Sequence, residues 1–334
     1  MSANKIKGSL LEYIVRRLLT NCGFTKVQPD NKYIFNDRGL NFIHGKGAAH
    51  DADVLMNPPI QMPFSYPFRI NFECKAYKKK AGLTIIRNAL GLRYDINDFE
   101  VLTEEQLELR KNLRRTDLAI TNRTRFNYQI GVASVENFTK DAIEFAANNK
   151  IPLISLRWIF PNNICDLFHE ITDRYLADTF TLQQRNDLLL FLKGHNEYEG
   201  IFTNQIHSHI QTIINSLRDF ENRIIIGLLE SGDMIFLFSD TEIDRSYFLN
   251  NSTINATYHF YTEEINLWTI VLNGNLNLKF YLPESIIDIW RAYNFEIGEA
   301  LSLKERLFGK LFIFPGNPTF KIINLDEDWL NNVR

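Results

Sequence analysis

Cysteine is scarce in this chain of 334 residues. Cys22, Cys74 and Cys165 lie too far apart for a CxxC zinc pair and are too few for a disulfide framework. No apolar run approaches the roughly 18 residues that a membrane-crossing helix needs, and the first residues lack the pattern of a secretory signal. Together these absences predict a cytoplasmic protein with no membrane partner. Internal repeats and low-complexity segments are also missing, which sets aside repeat architectures.

What is present is an ordinary globular composition, 45% hydrophobic, over a length that suits two domains or one large one. The net charge of -3 conceals a division. Residues 1–160 carry 24 Lys+Arg against 16 Asp+Glu, whereas residues 161–334 carry 13 against 24. A basic first half suits a polyanionic partner such as DNA, and an acidic second half does not read as another nucleic-acid grip. The division places a domain boundary near Pro161-Asn162-Asn163.

Leu11, Ile14, Val15 and Leu18 share one face of a helix expected over 8–19, with Ser9 as N-cap and Asn21 to Gly23 as its stop. Residues 31–49 read as a strand or two with a loop, and strands follow at about 51–56 and 68–76 across a proline-rich turn. Helices are expected at 82–92, 103–115 and 139–148, with strands at 129–135 and 151–156. That order implies a mixed sheet covered on both faces by helices. Beyond residue 161 the pattern gives helices at 164–178, 183–193 and 204–219, and a hairpin of 223–230 with 234–239. Strands near 254–261, 266–272 and 276–282 follow, the last two joined by an Asn273-Gly274 turn. A helix from Pro283 and an apolar run at 311–314 complete an expected second, α+β domain.

The most informative residues are His50-Asp51-Ala52-Asp53-Val54-Leu55 and Phe72-Glu73-Cys74-Lys75. Alternate side chains of a strand share a face, so Glu73 and Lys75 project together while Phe72 and Cys74 point away. If the two runs pair as a hairpin, Asp53 comes alongside Glu73. Two carboxylates beside an amine suit a hard divalent cation and a water activated next to it. Burying Glu73 among Ile70, Phe72 and Cys74 would be costly without a metal or Lys75 as partner. Asp51 is the rival carboxylate, two residues before Asp53.

These residues resemble the PD-(D/E)xK nuclease superfamily, and within it the Mrr-like restriction endonucleases. The resemblance spans roughly residues 8–156 and includes a closing strand–helix–strand, Ala133-Ser134-Val135-Glu136-Asn137-Phe138-Thr139-Lys140-Asp141-Ala142 through Ile154. It implies a restriction-endonuclease-like mixed sheet flanked by helices over 1–160. It also implies Asp53 and Glu73 as ligands of Mg²⁺, with Mn²⁺ as a substitute, and Lys75 beside the attacking water. Glu12 on the first helix would point back toward the site, and His50 matches the His of the family's HxxD run. Lys78, Lys79 and Lys80 are phosphate-contact candidates. Arg87 and Asn88 stand on the helix where many members carry Gln or Lys, and Arg110, Lys111, Arg114, Arg115, Arg123 and Arg125 extend the basic track.

The implied activity is metal-dependent hydrolysis of DNA phosphodiester bonds, in bacterial restriction or antiphage defence. One site per chain makes a homodimer the simple route to double-strand cutting. Rival readings are a ribonuclease on the same scaffold and an inactive nucleic-acid-binding subunit of a larger complex. Nothing in 161–334 reads as catalytic. His169, His195, His207, His209 and His259 lack zinc spacing, so that half is assigned to regulation, oligomerisation or an activating ligand or partner.

Overall fold

A computed structural model describes residues 2–37, 40–61, 65–100, 104–105, 108, 125–194, 208–229, 234–251, 253–260, 267–281, 310–316 and 319–325. The first half is a mixed α/β assembly. Helix α1 (Ala3–Asn21) leads to strand β1 (Thr25–Lys26) and then to a small sheet of β2 (Ile34–Asp37), β3 (Leu40–His44) and β4 (Ala49–Asp51). Next come β5 (Val54–Asn57), β6 (Phe68–Lys75), α2 (Leu83–Asn97), β7 (Asn127–Ser134), α3 (Lys140–Asn148) and β8 (Leu153–Ser155). The main sheet has the order β1-β5-β6-β7-β8. Its β5–β6 pair is antiparallel, and β6, β7 and β8 run parallel.

Alternation along β6 sorts the two faces of this sheet. Ile70, Phe72 and Cys74 join Val54, Met56 and α1 in one core, while Leu55, Ile130 and Val132 pack with α2 and α3 residues in another. Helices therefore cover both faces, as the element order predicts. Close packing across β6 and β7 depends on Gly131, which pairs with Phe72. A Cβ there would stand 2.4 Å from the Phe72 ring, which is itself fully buried.

Helix α1 differs from its expected form in a way that matters for the site. It starts at Ala3, so Ser9 is a buried interior residue rather than a cap. Ile6, Leu10 and Leu19 are as buried as the expected stripe. At 100° per residue the buried positions sweep well over half the circumference, the pattern of a helix enclosed by protein. The second flank packs on helices of the other half: α4 (Asn162–Glu170), α5 (Asp173–Thr179), α6 (Leu182–Leu192) and α7 (His209–Phe220). The span expected as one helix over 164–178 is two, because Thr172 turns the chain and caps α5 by accepting from Tyr175 N. One hydrophobic core thus runs through residue 160, tied further by Arg17 to Glu221 at 2.7 Å and Ala3 N to Asp173 at 2.6 Å.

The remaining strands close a seven-stranded barrel in the order β10-β13-β12-β11-β15-β14-β9. They are β9 (Ile224–Leu229), β10 (Met234–Phe238), β11 (Asn255–Phe260), β12 (Leu267–Leu272), β13 (Leu276–Tyr281), β14 (Lys310–Gly316) and β15 (Thr319–Leu325), with a short helix α8 (Ser246–Asn250). Its interior is filled by Trp268, Phe280, Ile270 and Leu278, among others, so it is a packed core and not a channel. Asn273 and Gly274 take positive φ values of 46° and 71°, as a tight hairpin requires. The turn at 231–233, most of the helix expected over 103–115 and the helix expected from Pro283 lie outside the described residues. Among the described residues no helix is long and apolar enough to cross a membrane.

Candidate active site

The chain changes sheets between Asp51 and Val54, and this crossing builds the site. Ala52 N still donates to Asn41 O of the small sheet at 2.9 Å, whereas Val54 already pairs with Phe72 in the large one. Carried one residue outward, that register sets Asp53 opposite Glu73. The Asp53 side chain then stands in for the missing ladder bond, its Oδ2 accepting from Cys74 N at 2.8 Å. On the same strand, Lys75 Nζ donates to Glu73 Oε2 at 3.0 Å.

The electrostatics of this cluster are unbalanced toward negative charge. Burial, then Glu12 and then Glu73 push the Asp53 carboxyl up to about 7, and the Cys74 N–H and Lys75 only partly offset this. Glu12 is also raised by burial, against the pull of Arg16 and Lys193. Asp51 is raised by burial, with Lys193 opposing and Glu73 adding to the effect. For Lys75, burial pulls downward, but the bonded Glu73 and nearby Asp53 outweigh it and raise its pKa. Lys75 is therefore a firmly held ammonium and not a free base. Cys74 is buried and its thiol raised well above its usual value, which makes it a packing residue.

Glu12, Asp53, Glu73 and Lys75 are thus brought within electrostatic reach of one another. Arg16 and Lys193 were not foreseen. Arg16 was hidden as an ordinary helix cation; it is half-buried, and its guanidinium donates to Leu192 O. Lys193 comes from the far end of α6, which a Thr181–Gln184 capping box starts and Gly194, at φ +93°, ends. No local pattern could link Lys193 to a site more than a hundred residues earlier.

The other candidates lie elsewhere. His50, on β4, bonds Asp95 Oδ2 of α2 at 2.6 Å, and Asp95 also accepts from Gly47 N at 2.7 Å. Lys78, Lys79 and Lys80 are exposed on the loop between β6 and α2. Asn88 is exposed on α2, and Arg87 lies 5.8 Å from the Phe145 ring of α3. Arg125 donates to Asn97 O at 3.0 Å, while Arg110, Lys111, Arg114, Arg115 and Arg123 fall outside the described residues.

Among the described residues no three His, Cys, Asp or Glu side chains stand close enough to hold a metal by themselves. Two carboxylate donors suffice for Mg²⁺, which keeps several waters and takes substrate phosphate as further ligands. The donor set of Asp53 and Glu73, all oxygen and short of positive charge, fits such a cation.

No protein family matches the chain, and no curated protein does. Among solved structures, "Crystal Structure of Protein of Unknown Function AF1548" is similar at 14% identity and a TM-score of 0.33, over 63% of this chain and 96% of that one. A likeness that slight carries no argument about fold or function.

Proposed function

We propose that this chain is a Mg²⁺-dependent endonuclease of the restriction-endonuclease-like type, hydrolysing DNA phosphodiester bonds in bacterial restriction or antiphage defence. The observation that carries the reading is Asp53, opposite the Glu73–Lys75 pair, with its ionisation suppressed by burial and, after that, by the Glu12 and Glu73 carboxylates. A half-buried cluster with that deficit of positive charge is suited to recruiting a divalent cation, and Mn²⁺ would serve too. The mixed order β1-β5-β6-β7-β8, with α1 on one face and α2 and α3 on the other, is compatible with the fold this reading expects.

Asp53 and Glu73 would hold the cation, whose chemistry is to polarise the scissile phosphate and make a bound water acidic. Lys75 stays protonated because Glu73 and Asp53 favour its charged form. Its role is to donate to the attacking water and to offset charge on the phosphorane-like transition state. Glu12 keeps a second carboxyl beside Asp53. Residues 161–334 would regulate the centre, and Lys193 gives α6 an electrostatic route to do so. With one centre per chain, double-strand cutting calls for a homodimer; a monomeric mass with intact double-strand cutting would overturn that part.

The test is cleavage of supercoiled plasmid, linear phage DNA and single-stranded RNA with Mg²⁺ or Mn²⁺, comparing wild type with Lys75→Ala. Metal-dependent DNA cutting, reduced about 10²–10³-fold in the variant, is the expected result. Cutting of RNA alone would reassign the substrate, and equal cutting by the variant would remove the centre from this position.

A further inference from the structure

A cleft of about 280 Å³ opens between the segment after β8 and the barrel. One wall is aromatic. Trp158 and Tyr281 have ring centroids 6.5 Å apart with planes 28° from parallel, and Phe238 lies 6.0 Å from Tyr281 at 21°. These three rings come from distant parts of the chain, lie nearly parallel to one another and all line the cleft, an aromatic series that a flat, aromatic guest can extend.

The charges around the cleft do not cancel. Arg157 is neutralised by Glu136 and Asp166, each at 2.6 Å, and Asp240 by Lys279 at 2.7 Å. Arg223 is left over. Its Nη1 donates to the main-chain Asp240 O at 2.9 Å, its Nε is buried with no partner, and its guanidinium lies 5.5 Å from the Phe220 ring. Among the described residues it forms no ion pair. A guanidinium has five N–H donors and a permanent charge, so this cation lacks an anion.

We propose that this cleft binds a free mononucleotide, its base against the Trp158, Tyr281 and Phe238 rings and its phosphate at Arg223. A planar ring and an anion on one small molecule satisfy both unmatched features. The volume, about 280 Å³, lies just under the roughly 300 Å³ at which ligand clefts begin, a size for one base and one phosphate and not for a dinucleotide. The site is independent of the Asp53 centre. It stands on both sides of residue 160, where an occupant would bridge the β8 segment to the barrel.

The test titrates AMP, GMP, CMP and UMP into the full chain in chelator, by calorimetry, with the matching nucleosides and inorganic phosphate as separate arms. At least one monophosphate is expected to bind, with its nucleoside and phosphate each at least tenfold weaker. Arg223→Gln is expected to weaken the nucleotide at least tenfold and leave the nucleoside within twofold, and Tyr281→Ala to weaken both. Lys75→Ala is expected to bind as wild type, so a failed nuclease reading leaves this result intact. No binding of any monophosphate at millimolar concentration, binding of oligonucleotides alone, or full affinity in Arg223→Gln would overturn the proposal. Should Arg223→Gln not fold, undiminished binding by Tyr281→Ala would overturn it.

Discussion

Replacing Asp53 with Asn should stabilise the metal-free protein at neutral to alkaline pH. The Asp53 carboxyl is pushed from the ordinary 3.8 up to about 7 by burial, Glu12 and Glu73. Because its pKa is raised on folding, the native state holds more protons than the unfolded chain between about pH 4 and pH 7. Stability therefore falls as pH rises through that window and levels off above it. A shift of about three units at ~1.4 kcal/mol each sets a ceiling near 4 kcal/mol, and local relaxation lowers this to roughly 2–4 kcal/mol. The Asn amide carries no charge, and its oxygen can still accept from Cys74 N, so the variant escapes the penalty. Urea denaturation in EDTA from pH 4.5 to 8.5 reads the difference directly. The expected gain is small at pH 4.5, grows to pH 7 and is flat beyond. A variant no more stable than wild type at pH 8, or a gain independent of pH, would refute the reasoning.

Other outcomes follow from single contacts. Adding millimolar Mg²⁺ or Mn²⁺ at pH 8 should raise the melting temperature of wild type and leave Asp53→Asn unmoved, because a cation that binds only the native site stabilises it by mass action. Gly131→Ala should cost about 1–3 kcal/mol, since its Cβ would stand 2.4 Å from the buried Phe72 ring; Phe72→Leu in the same chain should recover part of that loss in urea denaturation. Glu136 accepts from Arg157 at 2.6 Å and from His169 at 2.7 Å. Burial raises the Glu136 pKa, but these two bonds outweigh it and hold the group below the usual range. Its contribution should therefore be present above the ordinary carboxylate pKa and lost as pH falls through the lowered one. Glu136→Gln should lower the melting temperature at pH 7 and lessen its fall on acidification.

Much of the site follows from patterns a few residues long. Glu73 and Lys75 share a face because strands alternate, and Asp53 meets Glu73 because two apolar runs across a long proline-rich turn pair antiparallel. The turn at Asn273-Gly274 is likewise local chemistry. The expected single strand over 51–56 was less legible, because the switch between two sheets at Ala52 depends on what β3 and β6 offer as partners. The same holds for α1: Ile6, Leu10 and Leu19 are visible as apolar residues, but whether a wide apolar arc meets one neighbour or two is settled only by what packs on it.

From the sequence alone came the mixed helix-and-strand order of the first half, the carboxylate–lysine set and the unequal charge of the two halves. Each rests on periodicity or composition, which act at short range or as sums. Tertiary structure alone decided that His50 turns to Asp95, that Arg16 and Lys193 reach the carboxylates, and that Trp158, Phe238 and Tyr281 share one wall. Those meetings join residues tens to hundreds of positions apart. They are set by how packed elements fill space, and no local propensity records that.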